Sequence, residues 1–128
     1  MNLLLDTQIA VWWQIASAKV PAAAGEQIME RAATVFISKT SLWEMAIKVN
    51  QRKLHIDLSY FVRKVEQDGF VWLGLETSHI LTYASLAVHD DHKDPFDRLL
   101  VAQSLTEPLI LLTTDSKLSR YGPTVRVV

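Results

Sequence analysis

The 128-residue chain has no cysteine, which excludes disulfides and thiolate-held zinc and is the ordinary condition of a protein in a reducing cytoplasm. It has no excess of one charge either, since 13 Lys plus Arg stand against 14 Asp plus Glu. A polyanionic partner would therefore be met by a local basic patch or by bound metal, not by an overall field. No apolar run approaches the roughly 18 residues of a membrane span. Met1–Leu5 lacks a basic leader and meets an acid at Asp6, so it does not read as a signal peptide. Glycine is scarce: Gly25, Gly69, Gly74 and Gly122 make neither a phosphate-binding loop nor a nucleophile elbow. These absences describe a cytoplasmic chain without thiol chemistry and without a nucleotide-binding loop.

What is present suits one compact domain over residues 1–128, because 49% of the residues are hydrophobic and can supply a core. Leu3-Leu4-Leu5 is an apolar run without alternation, as expected of a strand buried on both faces. Val35–Ile37, Phe70–Leu75, Leu109–Leu112 and Thr124–Val128 supply four more strands. Between them lie helical patterns. One starts at Thr7, a plausible N-cap, and one spans Ala22 to Ala33 after Pro21. A third follows Ser38, with Leu42, Trp43, Ala46 and Ile47 facing inward. Others cover Leu58–Val65, Ser78–Val88 and Arg98–Leu105. Alternating strands and helices predict an α/β fold with a mostly parallel sheet and helices on both faces.

In such sheets ligands bind beyond the carboxyl ends of the strands. Asp6 directly follows the first strand and Asp115 the fourth. Glu44 lies within about two turns of the start of the helix after strand two. Asp97 is near the first turn of its own helix. Each acid has a plainer reading: Asp6 and Asp97 as helix caps, Glu44 as a solvated acid, Asp115 as a turn residue. Together, four acids projected to one sheet edge would repel one another unless a cation neutralises them, and hard oxygen ligands suit Mg²⁺ or Mn²⁺.

The blocks Leu3-Leu4-Leu5-Asp6-Thr7, Ser41-Leu42-Trp43-Glu44-Met45, Asp94-Pro95-Phe96-Asp97-Arg98-Leu99-Leu100-Val101-Ala102-Gln103 and Leu112-Thr113-Thr114-Asp115 carry a resemblance. In this order and spacing, over nearly the whole chain, they resemble the PIN-domain ribonucleases, and more narrowly the toxins of VapBC-type toxin–antitoxin pairs. The resemblance implies a five-stranded sheet in the order 3-2-1-4-5, and an acidic quartet of Asp6, Glu44, Asp97 and Asp115 binding Mg²⁺ or Mn²⁺. It also implies RNA as substrate, a small antitoxin covering the site, and a homodimer. The alternative is a catalytically silent PIN-like module that binds RNA or protein.

Metal-assisted hydrolysis needs no protein nucleophile. In this reading Asp6 and Asp97 are direct ligands, Asp115 binds directly or through water, and Glu44 orients the attacking water or a second ion. Thr7 and Thr114 offer hydroxyls to metal-bound water or to the acids, with capping as their plain alternative. Asp94 is an extra carboxylate of open role. Lys39, Lys48, Arg52, Lys53 and Arg98 are the candidate phosphate contacts, Lys48 and Arg52 sharing a face at i, i+4 if the helix reaches that far. Trp12, Trp13 and Trp43 are assigned to core or dimer interface and Trp72 to core. His89-Asp90-Asp91-His92 reads as a solvated polar loop ahead of a zinc site, with His92 able to touch substrate.

Overall fold

The computed structural model describes residues 1–128. Strands β1 (Asn2–Leu5), β2 (Thr34–Ser38), β3 (Val71–Leu73), β4 (Ile110–Thr113) and β5 (Val125–Val127) form one parallel sheet in the order β3-β2-β1-β4-β5. β1 is central. Leu3 pairs with Val35 on one side and Ile110 on the other, and Leu5 with Leu112. No helix is long and apolar enough to cross a membrane.

The unalternating leucine run is explained by two cores, one on each face. Leu3 and Leu5 point to the face covered by α1 (Thr7–Ile15), α2 (Ala22–Glu26), α3 (Lys39–Asn50) and α4 (Leu58–Gln67), where they join Ile9, Ala24, Met45, Phe61 and Val65. Leu4 points the other way, with Leu111 and with Leu100 and Val101 of α6 (Pro95–Thr106). α5 (Thr77–Ala84) packs on α6. All three leucines are fully buried, and burying each contributes about 1.5–3 kcal/mol. The sheet is pinned through β1.

Several boundaries differ from the sequence expectation, each for a local reason. Asp6, not Thr7, caps α1: its Oδ1 accepts from the Ile9 amide at 2.8 Å. The helix expected over Ala22–Ala33 is α-helical only to Glu26 and then widens into a π turn, Gln27–Arg31. α5 stops at Ala84, short of Val88. α6 begins earlier than Arg98, because Pro95 occupies its first turn and Asp94 caps it, accepting from the Phe96 and Asp97 amides. α3 ends at Asn50, and Arg52 follows in a turn with φ of 60°, so Lys48 and Arg52 do not share a helix face. Trp43 is 58% exposed and packs edge-on against Phe96 instead of entering the core. Trp72 is half-buried, against Phe61, with the Lys39 ammonium 4.4 Å over its ring.

Candidate metal centre

Strand order reverses between β1 and β4, and the crevice at their carboxyl ends is where this topology places ligands. A cavity of about 260 Å³ opens there, lined by Asp6, Glu44, Asp97 and Asp115 together with Thr7, Lys48, Asp94 and Thr114. Four chain segments thus deliver four carboxylates to one pocket. Asp6 leaves the end of β1, Glu44 projects from the second turn of α3, Asp97 from the first turn of α6, and Asp115 follows β4.

Asp6 is held most firmly. It is 6% exposed, and its two oxygens are taken by the Ile9 amide and the Thr113 hydroxyl. Burial pushes its carboxyl above the ordinary carboxylate range, and the Glu44 charge adds to this, against hydrogen bonds from Thr113, Ile9 and Thr114. Asp97 is freed for the pocket because Asp94 does the capping. Burial raises its pKa to about 7, helped by the charges of Asp94, Asp6 and Glu44 and opposed by His92. Glu44 is 6% exposed; its Oε2 meets the Lys48 ammonium at 3.0 Å, while Oε1 is buried with no partner. Asp115 is half-buried and accepts from the Lys117 amide through Oδ1, capping a short 3₁₀ turn.

This donor set fits a divalent cation. It is rich in hard oxygens, it includes an orphaned buried carboxylate oxygen at Glu44, and two of its acids are driven toward protonation by burial and mutual repulsion. A cation in the pocket would give the orphaned oxygen a partner and relieve the repulsion among the acids.

The outlying candidates divide. The Thr7 hydroxyl donates to Ser41 at 2.9 Å, which ties α1 to α3 beneath the acids. Thr114 lines the pocket. Lys48 is at its rim with a half-exposed side chain, and Lys53 lines an adjoining depression with Gln51 and Phe96. Arg98 is not available to phosphate. It is 7% exposed, donates to the Ala87 carbonyl and Tyr121 hydroxyl at 2.9 Å each, and is sandwiched by Tyr83 and Tyr121. Lys39 lies on Trp72.

One residue at the site escapes the sequence reading, and another, expected near the site in a solvated loop, is placed differently. Thr113 is fully buried and donates to Asp6; the parallel register of β1 with β4, in which Leu5 faces Leu112, is the signal that places it. His92 is the larger surprise. It is not solvated but 7% exposed, with Nε2 3.4 Å from Asp97 Oδ2 and 3.6 Å from Asp115 Oδ2. The His89–His92 motif was visible, but the ion pair of Asp91 with Arg120 that folds this loop inward was not.

Comparison with known proteins follows the same line. No curated protein matches the sequence. Among solved structures, the chain is similar in fold to VapBC2 from Rickettsia felis, solved bound to a DNA fragment from its promoter, with a TM-score of 0.67 at 16% identity over 100% of this chain and 98% of that one. A toxin–antitoxin complex from Klebsiella pneumoniae gives 0.66 at 14% identity, over 98% of this chain and 96% of that one. VapBC-5 from Mycobacterium tuberculosis gives 0.60 at 16% identity, over 99% and 97%. The family model for the PIN domain matches residues 3–122. With that match over nearly all of its length, and the sheet order and acid-lined crevice described above, the chain belongs to the PIN-domain family.

Proposed function

We propose that this protein is the toxin of a VapBC-type toxin–antitoxin pair and acts as a Mg²⁺- or Mn²⁺-dependent endoribonuclease in the cytoplasm. The observation that carries the proposal is the convergence of Asp6, Glu44, Asp97 and Asp115 on one pocket. Membership of the PIN family and the fold shared with solved toxin–antitoxin proteins support it.

Asp6 and Asp97 would hold the ion, with Asp115 binding directly or through water. When bound, a divalent ion lowers the pKa of water and offsets the charge of a phosphodiester. The chain's own residues prepare for this. Thr113 and the Ile9 amide fix the Asp6 carboxylate in one orientation, so little reorganisation is needed on loading. Glu44 Oε1, buried and unclaimed, is the acceptor that orients a water for attack. Lys48 at the rim, with Lys53 and Arg52 beyond α3, offers cations to the RNA backbone. A cognate antitoxin would insert a basic side chain into the pocket, where an arginine fork matches paired carboxylates. The toxin itself would form a homodimer.

The deciding experiment is Asp97→Asn. The substitution keeps shape, and Asp94 caps α6, so the fold is expected to survive. RNA cleavage with Mg²⁺ or Mn²⁺ should fall by several orders of magnitude. A folded Asp97→Asn protein that still cuts RNA at near the parent rate refutes the nuclease reading and leaves a binding module in its place.

A further inference from the structure

His92 is the buried polar group that the acidic quartet does not account for. Its Nδ1 is buried without a partner. Its Nε2 faces Asp97 and Asp115 at 3.4 and 3.6 Å, longer than the ~2.7–2.9 Å of a charge-assisted hydrogen bond. That spacing has another meaning. Two ligand atoms each about 2.1 Å from a shared octahedral ion sit about 3.0 Å apart at a right angle, so an ion entering between these groups would draw them in by about half an ångström. One donor atom from each of His92, Asp97 and Asp115 lies within 4.8 Å of the others.

The arrangement is built from several sides. Residues 89–92 make a tight turn, with the His92 amide donating to the His89 carbonyl at 3.1 Å. The Arg120 guanidinium grips both oxygens of Asp91, and Lys117 reaches the Asp91 carbonyl. Lys117 and Arg120 both belong to the turn capped by Asp115, so the loop bearing His92 is fastened to the segment bearing Asp115. The Tyr121 ring stands edge-on to both His89 and His92, and its hydroxyl accepts from Arg98, the neighbour of Asp97.

We infer that His92, Asp97 and Asp115 form a cation site with one imidazole ligand, and that this nitrogen makes the protein favour Mn²⁺ over Mg²⁺. Mg²⁺ takes oxygen ligands and sheds water reluctantly, whereas imidazole suits transition ions. This rests on the metal-nuclease reading and names the ion that the Asp97–Asp115 side of the pocket selects.

The test is metal binding, independent of cleavage. Mn²⁺ is titrated into the full chain and followed by the loss of the free-ion electron paramagnetic resonance signal, and Mg²⁺ affinity is read by competition. Pulsed resonance on the Mn²⁺-loaded protein then looks for coupling to a ligand nitrogen. The expected result is nitrogen coupling and a preference for Mn²⁺ in the parent. In His92→Ala the coupling is lost and Mn²⁺ affinity falls about tenfold or more, while Mg²⁺ affinity stays within about threefold. His92→Gln, closer in size and able to hydrogen-bond, gives the same readout if the alanine variant fails to fold. Coupling that survives in the variants, or equal losses for both ions, overturns the inference and leaves the nuclease reading standing. A parent that binds neither ion removes both readings; where the parent binds, Asp97→Asn should weaken both ions and so locates the binding at this pocket.

Discussion

Helix α6 carries two clusters of buried polar residues that differ in how their groups are satisfied. Toward its end, Gln103 accepts from the Ser38 hydroxyl at 2.6 Å and donates to the Gly74 carbonyl at 3.1 Å. Beside it His79, fully buried, accepts from the Glu76 amide at Nδ1, and its Nε2 meets Glu107 at 2.7 Å. Every group there has an answering group within the protein. Around the first turn of α6 the situation is reversed. Asp97 is pushed toward protonation, Glu44 Oε1 and His92 Nδ1 have no partner, and Asp6 is kept above the usual carboxylate range. A satisfied network stabilises a unique packing, while an unsatisfied one marks a place where something else is expected to bind. The two ends of one helix thus differ in whether the protein alone satisfies them.

That contrast can be broken most sharply by substituting at each end. Gln103→Ala strands the Ser38 hydroxyl and the Gly74 carbonyl and leaves a cavity, so it should cost about 2–4 kcal/mol in denaturant unfolding. Asp97→Asn, in metal-free buffer, should instead leave stability unchanged or raise it, because a repelled charge is removed. If both variants are destabilised alike, the acidic end is no less satisfied than the other and the distinction fails.

A smaller effect follows from the sign of the Asp97 shift. The folded state holds the proton to about 7, while the ordinary value is 3.8. The protonated folded form is therefore favoured, and this stability is fully present below about 4 and lost as pH rises through about 7. Asp6, also raised, acts in the same direction. In chelator the melting temperature should fall across that window. The fall should lessen in Asp97→Asn and be offset by millimolar Mn²⁺, which on the proposed reading would bind the folded state and stabilise it by mass action. A melting temperature that rises across the window without metal would contradict the origin given for the shift.

The smallest effect belongs to Lys48→Met. Its ion pair with Glu44 is an i, i+4 contact whose lysine end is half-exposed, and such pairs contribute about 0–1 kcal/mol. Thermal unfolding should barely change, while divalent affinity should rise slightly as a competing cation is removed. A loss of more than about 2 kcal/mol would make Lys48 part of the frame rather than of the rim.

Much of this is legible in the sequence. The leucine run of β1, the alternation of strands with helices, and the acids directly after β1 and β4 are local signals, and they suffice to bring Asp6, Glu44, Asp97 and Asp115 to one sheet edge. The cap of α6 is misplaced in the sequence reading: Asp97 is the capping alternative there, whereas Asp94 takes that role and leaves Asp97 to the pocket. What stayed hidden depends on partners far away in sequence. Arg98 looks like a phosphate ligand until Tyr83 and Tyr121 enclose it, and His92 looks solvated until Arg120 draws its loop inward. Trp43 reads as core or dimer interface in the sequence; it lies edge-on to Phe96 in a surface groove shared with Ile80 and Leu99 and stays 58% exposed. Periodicity reports which face of a helix is apolar, not how much protein is there to cover it.

The bond between the Thr113 hydroxyl and Asp6 joins residues 107 positions apart. Asp6 and Glu44 precede β4 in the chain, yet the pocket they share is incomplete until β4 has docked beside β1 and brought Thr113 and Asp115 with it. Closing so long a loop is a late and slow event in folding. The four acids therefore come together only late in folding, and any local opening that detaches β4 takes the pocket apart again.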